Sequence, residues 1–86
     1  MQQKGMNCFM TKLEYRRCES AMIEAIRSAE QANKEMNEYI KCSDEIQKHI
    51  LEVSANEHRG YATGINQALV FAGFKHEKMQ LLSKLI

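Results

Sequence analysis

The chain has no proline, no tryptophan and only four glycines in 86 residues. All-β folds need many tight turns, which depend on proline and glycine, so this composition disfavours them. Hydrophobic residues make up 44% of the chain and charged residues 27%, which is typical of a folded protein and not of a disordered one. We expect residues 1–86 to form a single small domain, whose stability benefits from a disulfide, a metal or a partner chain.

An excess of charge of either sign is also missing. Twelve basic and eleven acidic residues give a net charge of +1. No global field therefore attracts the chain to nucleic acid or to an anionic membrane. The longest uncharged run, from Gly60 to Phe74, is shorter than the roughly 20 residues of a membrane-spanning helix. Residues 1–10 lack the apolar core of a signal peptide and are predicted to be a flexible N-terminus. We therefore expect a soluble, cytoplasmic protein without membrane contact.

Metal sites and disulfides are not indicated either. The three cysteines are widely spaced along the chain: Cys8, Cys18 and Cys42. An odd, scattered set of this kind is not a disulfide framework and fits a reducing compartment. The histidines lack the close spacing of zinc ligands: His49, His58 and His76. The sequence predicts no metal site and no cofactor.

The first helix is predicted over residues 11–41, which contain no glycine or proline and many good helix formers. Its apolar and small residues recur in alternating steps of three and four, which is the heptad pattern of a packed helix face. The residues of this face are Tyr15, Cys18, Met22, Ala25, Ala29, Ala32, Met36 and Tyr39. We expect this face to pack against the next helix.

A second helix is predicted over residues 44–72, after a break near Cys42, and a short third helix over residues 76–85. Gly73 favours the end of the second helix, because glycine adopts the left-handed conformation at little cost. The apolar face of the second helix reads Ile46, Ile50, Val53, Glu57, Gly60 or Tyr61, Gly64 or Ile65, Ala68 and Ala72. The predicted fold is all-α, a long antiparallel helical hairpin plus a short C-terminal helix, completed as a bundle by self-association.

Small residues of the two long helices fall at the same level if the chain reverses near Cys42. This register predicts a helix crossing of five small residues: Ala21, Ala25, Ala29, Gly60 and Gly64. Glycine inside a helix costs about 1 kcal/mol relative to alanine, and a close approach of two backbones would explain why it is used. The alternative is that residues 59–64 are a loop that splits the second helix.

A single hairpin leaves apolar residues uncovered near its end. Leu69, Val70 and Phe71 are consecutive, so a helix presents them in several directions. The sequence therefore predicts an association surface of six residues: Leu69, Val70, Phe71, Phe74, Met79 and Leu82. We expect a homodimer of two hairpins in a four-helix bundle, and the alternative is a three-helix monomer in which these residues are core.

No catalytic residue is indicated. Glu57, His58 and Arg59 combine an acid, a base and a cation, but consecutive residues of a helix point in different directions and do not form a site. Four polar residues of the second helix provide an alternative, a pocket between chains for a nucleotide-like ligand: Tyr61, Thr63, Asn66 and Gln67. Structural hydrogen bonds are the favoured use of these side chains.

A second alternative is a small DNA-binding regulator that uses a C-terminal helix-turn-helix. Its contacts to phosphate would come from four residues: Lys75, His76, Lys78 and Lys84. The three lysines share this segment with Glu77, which makes a weak phosphate footprint. Nucleic acid is therefore not the expected partner.

The function that these patterns favour is a non-enzymatic protein–protein interaction module that self-associates. Short helical chains without linkers are often accessory proteins, such as regulators, adaptors and inhibitors of a larger protein, including those carried by phages and other mobile elements. The expected partners are a second copy of the chain and an unidentified larger protein.

Overall fold

A computed structural model describes residues 10–86, which form three α-helices and contain no strand. The helices follow in this order: α1 (Lys12–Lys41), α2 (Glu45–Phe71) and α3 (Lys78–Leu85). These bounds lie within two residues of the predicted ones, and the predicted all-α hairpin with a short C-terminal helix is confirmed. Cys8 and nearly all of the predicted flexible N-terminus fall on residues 1–9, outside the described part of the chain.

Reciprocal hydrogen bonds fix the start of α1. Thr11 Oγ1 accepts a hydrogen bond from Glu14 N–H at 3.1 Å, and Glu14 Oε1 accepts one from Thr11 N–H at 2.8 Å. This capping box satisfies amides that have no carbonyl partner in the first turn of a helix. The helix ends at Lys41, and residues 42–44 form a short connection that reverses the chain.

α2 is continuous through Gly60 and Gly64, so the alternative of a loop at this point is wrong. Its end is fixed by Gly73, whose φ of 78° favours glycine. Gly73 N–H and Phe74 N–H donate to carbonyls of the last turn, each at 3.0 Å. These two bonds form a Schellman motif, which ends the helix where the sequence predicted and leads Phe74 into the core.

The helices form a rod of 57 × 16 × 16 Å in which α2 runs antiparallel to α1. The predicted face of α1 is confirmed, because its central residues Met22, Ala25 and Ala29 are buried. α3 folds back along α1, and Asn33 Nδ2 donates to the carbonyl of Leu85 at 3.3 Å. The main core cluster lies among the three helices: Met22, Ala25, Ile26, Ala29, Ala62, Leu69, Phe74 and Leu82.

α2 packs on α1 through the face opposite to the predicted one. The buried residues of α2 are Leu51, Ala55, Ala62 and Leu69. The predicted face, which begins with Ile46 and Ile50, is exposed instead. The prediction was wrong because α2 has two apolar faces, and periodicity alone does not say which of them meets α1.

The predicted crossing at Gly60 and Gly64 is also wrong. Both glycines are exposed, and a Cβ built on either of them meets no heavy atom within 4 Å outside the local helix backbone. On α1, Ala25 and Ala29 are buried as predicted and Ala21 is half-buried. Ala25 and Ala29 share the core cluster with Ala62, so alanines and not glycines form the close contact between the two helices.

Most of the predicted association surface is core. Leu69, Phe74 and Leu82 are buried, and Met79 packs against the core cluster. Their burial follows from α3, which covers this side of the hairpin and makes these residues core, as the three-helix alternative predicted. Only Val70 and Phe71 of the six residues are exposed.

Candidate functional site

One face of α2 is apolar and open to solvent. Its residues follow one another in steps of three and four, so they share one side of the helix. We name this set the outer stripe, and it consists of Ile46, Ile50, Val53, Glu57, Gly60, Gly64, Ala68 and Phe71. All of these residues are exposed, and Ile46 and Phe71 expose 74% and 92% of their surface.

The outer stripe lies opposite the buried face of α2. Gly60 of the outer stripe and Ala62 of the buried face are about 200° apart around the helix axis. The solvent side of a surface helix is normally polar, yet Glu57 is the one charged member of the outer stripe. α2 therefore has a second apolar face, which residues 10–86 do not cover.

Gly60 and Gly64 have no role inside the hairpin. Each costs about 1 kcal/mol of helix stability relative to alanine. Among the described glycines, only Gly73 has a positive φ. Gly60 and Gly64 both have open space where a Cβ would lie. The approach of another backbone to this side of α2 would explain them.

Charge changes along the exposed side of α2. Asp44, Glu45 and Glu52 are exposed near the start of the helix. Residues 60–74 carry no charge, and beyond them the exposed Lys78 begins α3. Glu77, next to Lys78, is exposed as well, so the start of the outer stripe is acidic and its other end carries charges of both signs.

A second candidate site is a polar cluster that joins α1 to α2, formed by Gln31, Glu35, Ser54 and His58. The Glu35 carboxylate accepts hydrogen bonds from Ser54 Oγ at 2.7 Å and from Gln31 Nε2 at 3.2 Å. It also pairs with His58 Nδ1 at 2.9 Å. Glu35 is buried, whereas the His58 side chain is 40% exposed.

The pKa of Glu35 lies below its ordinary value of 4.5. Burial acts in the opposite direction, because it disfavours the charged carboxylate. Hydrogen bonds from His58, Ser54 and Gln31, together with the charge of His58, outweigh burial and lower the pKa. The carboxylate is therefore ionised at neutral pH and positions the donors around it.

The polar cluster serves to join helices. Ser54 Oγ donates to Glu35, and Ser28 Oγ donates to the backbone carbonyl of His58 at 2.8 Å. Neither serine directs its hydroxyl proton at the imidazole of His58, so the pair of His58 and Glu35 activates neither of them as a nucleophile. Arg59 points elsewhere, since its Nη2 donates to Asn33 Oδ1 at 3.0 Å.

The structure does not bring the predicted polar-pocket residues together. Tyr61 is exposed and Gln67 is exposed. Thr63 Oγ1 donates to the carbonyl of Arg59 in the preceding turn at 2.8 Å. Asn66 lies in the wall of a groove of about 900 Å³ between α2 and α3, where its Oδ1 is buried without a hydrogen-bond partner.

The residues predicted for nucleic acid surround that same groove. Lys75, His76 and Lys84 line it together with the acidic Glu77, and Lys78 is exposed. His76 is engaged by the protein itself, because its Nε2 lies 3.1 Å from an oxygen of the Glu19 carboxylate. The imidazole also stacks on Phe74, with ring centroids 5.9 Å apart.

Sequence reasoning missed the polar cluster. Glu35 was not included in the predicted face of α1, although it follows Ala32 by three residues on the same side of the helix and is buried. Ser54 and His58 are four residues apart and so share one side of α2. The sequence signal for such a cluster is a carboxylate on one helix and two hydrogen-bonding residues on the next. All three must lie at the same level of the hairpin.

Among residues 10–86, no group of three or more histidine, cysteine, aspartate or glutamate side chains is placed to hold a metal ion. No helix in this part of the chain combines the length and the hydropathy of a membrane span. The chain matches no family model, no curated protein and no solved structure.

Proposed function

We propose that this chain is a non-enzymatic protein–protein interaction module that contacts its partner through the outer stripe of α2. It acts in the cytoplasm as an accessory regulator, adaptor or inhibitor of another protein. The observation that carries this proposal is the second apolar face of α2, which extends from Ile46 to Phe71 and is exposed along its whole length.

The free energy of the exposed face supports a binding role. Exposed apolar side chains such as Ile50 and Phe71 gain about 25 cal/mol for each Å² that a partner removes from water. Contiguous apolar patches on a small protein are typical of interaction sites. Isolated exposed residues such as Leu13 need no such explanation, but the outer stripe places apolar side chains towards both ends of a 27-residue helix, with Glu57 and two glycines between them.

The polar groups support a binding role over catalysis. The hydroxyls of Ser54 and Ser28 donate to Glu35 and to the backbone carbonyl of His58. His76 likewise contacts Glu19 and the ring of Phe74. These contacts hold helices together and leave the chain with an apolar helix face as its main means of recognition.

Photo-crosslinking in the native host tests the proposal. A photoreactive amino acid at Ala68, on the outer stripe, is expected to form a protein adduct. The same amino acid at Arg16, which is exposed on α1, serves as the control and is expected to form little. Ile50→Glu in the Ala68 chain should reduce the adduct several-fold. Equal adducts at both positions, or none at Ala68, would refute the proposal.

Neither alternative function gains a specific observation. The residues considered for a nucleotide-like ligand point to different places, with Thr63 bonded within its own helix and Gln67 exposed. For DNA binding, α3 would have to enter a groove, but it lies along α1 with Leu82 fully buried. A gel-shift experiment with random duplex at low salt is expected to show no retardation.

A further inference from the structure

The pair of His58 and Glu35 fixes the position of the imidazole proton. The Glu35 carboxylate is ionised at neutral pH, so its oxygens only accept hydrogen bonds. Its Oε1 lies 2.9 Å from His58 Nδ1, and Nδ1 must therefore carry a proton. In the neutral imidazole the other nitrogen, Nε2, then has no proton and keeps a free lone pair.

The nitrogen with the lone pair is not engaged by the protein. His58 Nδ1 points to the buried Glu35, so Nε2 lies on the other side of a ring whose side chain is 40% exposed. Among residues 10–86 no group forms a hydrogen bond with Nε2. The His58 side chain lines a groove of about 430 Å³ between α1 and α2. The structure therefore presents a nucleophilic nitrogen to this groove.

The other two histidines have different surroundings. His76 is 13% exposed and uses both ring nitrogens, since Nε2 lies 3.1 Å from the Glu19 carboxylate and Nδ1 accepts from Lys78 N–H at 3.1 Å. His49 is exposed on α2 and has no hydrogen-bond partner for its ring in the described part of the chain. Of the three histidines, only His58 combines a carboxylate on one nitrogen with a free second nitrogen.

The charge of the groove favours an anionic reactant. Arg27 lines the groove beside His58, and a guanidinium group binds phosphoryl oxygens through its charge and its N–H donors. Glu24 lines the same groove and opposes this attraction. A neutral acyl group would gain nothing from the charge of Arg27, whereas a phosphoryl group would.

We propose that His58 is a phosphoacceptor whose Nε2 takes a phosphoryl group from a donor of the phosphoramidate class. The Nε2 lone pair attacks phosphorus and forms a new N–P bond, while the P–N bond of the donor breaks. The protonated amine of the donor leaves as a neutral amine with the electron pair of that bond. The Nδ1 proton stays in place, so the imidazole ring becomes positively charged, and the Glu35 carboxylate stabilises this charge. This inference goes beyond the proposed function and does not depend on the outer stripe.

Potassium phosphoramidate tests the inference on the full chain in mildly alkaline buffer, because this salt phosphorylates imidazoles without an enzyme. Mass spectrometry of peptides over time gives the rate at each histidine, and NMR identifies the modified nitrogen. His58 should react about tenfold or more faster than His49, at Nε2, because a charged carboxylate stabilises the ring charge that develops. His76 should react most slowly. In urea the three histidines should react at similar rates, because the pair of His58 and Glu35 is lost.

Two variants test the groups around His58. Glu35→Gln removes the carboxylate charge and should lower the His58 rate about tenfold, while the His49 rate stays unchanged and serves as the internal control. Arg27→Gln should lower the His58 rate several-fold at low donor concentration. Its matched control is Arg16→Gln, at an exposed position of α1 outside the groove, which should have no effect. Circular dichroism checks that each variant keeps its helices.

Each comparison has an outcome that overturns the inference. Equal rates at His58 and His49 in the folded chain would show that Glu35 does not activate the imidazole, and this comparison needs no variant. Phosphorylation of His58 at Nδ1 would show that Glu35 does not hold the proton there. A His58 rate that is insensitive to Glu35→Gln overturns the inference as well. Equal rates in Arg27→Gln and Arg16→Gln would overturn the groove as the place where the donor binds.

Discussion

The two ends of the hairpin are built in different ways. At the end where α3 covers α1 and α2, large side chains such as Met22 and Leu82 are fully buried, and the Tyr15 and Phe74 rings lie 5.3 Å apart. At the end near residues 42–44, two helices pack alone, and Ile40 and Ile46 are exposed. Most of the large buried apolar residues therefore lie at the end of the hairpin that α3 covers.

The two-helix end buries Leu51 and otherwise relies on small and polar residues. Two helices share one line of contact, so few large side chains can be covered from all sides. Ala32 and Ala55 allow close approach at this end, and the hydrogen bonds of Glu35 set which residues of α2 lie opposite α1. The comparison indicates that the three-helix end supplies most of the apolar stabilisation, while the polar cluster fixes the register of the hairpin.

The largest expected effect is at the three-helix end. Leu82→Ala should lower the free energy of unfolding by about 2–5 kcal/mol, because it leaves a cavity among three helices. Leu81→Ala is the matched control, since the neighbouring leucine is 44% exposed, and it should cost under about 1 kcal/mol. Urea denaturation followed by circular dichroism measures both. Equal losses would contradict the placement of α3 against the core.

The next effect is at the two-helix end. Glu35→Ala should lower the free energy of unfolding by about 1–3 kcal/mol, because it leaves Ser54 and His58 without an acceptor. Glu38→Ala changes the same residue type at an exposed position of α1 and should have an effect within about 0.5 kcal/mol. If the two variants unfold at the same urea concentration, the polar cluster does not stabilise the hairpin.

The sequence predicted α1 well because α1 has one apolar face. Its heptad pattern through Met22 and Ala29 has no competitor, so periodicity and burial coincide. Gly73 was equally readable, because a left-handed residue after an apolar run is a strong signal for a helix end. In both cases local chemistry alone determines the structure.

α2 could not be read in the same way. Ile46, Ile50 and Val53 recur in steps of four and three on the outside. The inner face combines a few large apolar residues with small and polar ones such as Ala55 and Ser54. Ser54 and His58 are stable inside because Glu35 of the other helix accepts their hydrogen bonds, and that compensation depends on a contact that sequence spacing does not show. Most residues of the outer stripe were therefore recognised in the sequence as one face of α2. They were predicted to pack against α1, whereas they are exposed to solvent.

Substituting two of the glycines by alanine should change the free energy of unfolding by an intermediate amount, in opposite directions. Gly73→Ala should destabilise the fold by about 1 kcal/mol, because alanine is strained at positive φ. Gly60→Ala should stabilise the isolated chain by about 1 kcal/mol, because the position is helical and open. Thermal unfolding at low protein concentration measures both, since dilution removes any contribution from association. A loss of stability in Gly60→Ala would show that the chain itself needs this glycine.

The smallest expected effect is the pH dependence that Glu35 contributes. Its pKa is lower in the folded chain than the ordinary 4.5, so the unfolded chain binds a proton first as the pH falls. The stabilisation is therefore complete above pH 4.5 and is lost as the pH falls through the lowered pKa. The loss should be smaller than in Glu35→Ala, because a protonated carboxyl still accepts hydrogen bonds from Ser54.

Glu35→Gln separates this contribution from every other titrating group. The variant keeps an oxygen that can accept from Ser54 but has no charge to lose, so its stability should depend less on pH than that of the original chain. The difference between the two in urea denaturation should be largest near neutral pH and should shrink as the pH falls from about 5 to about 3, where the original carboxylate becomes protonated. A constant difference over this range would mean that the hydrogen bonds, and not the charge, account for the polar cluster.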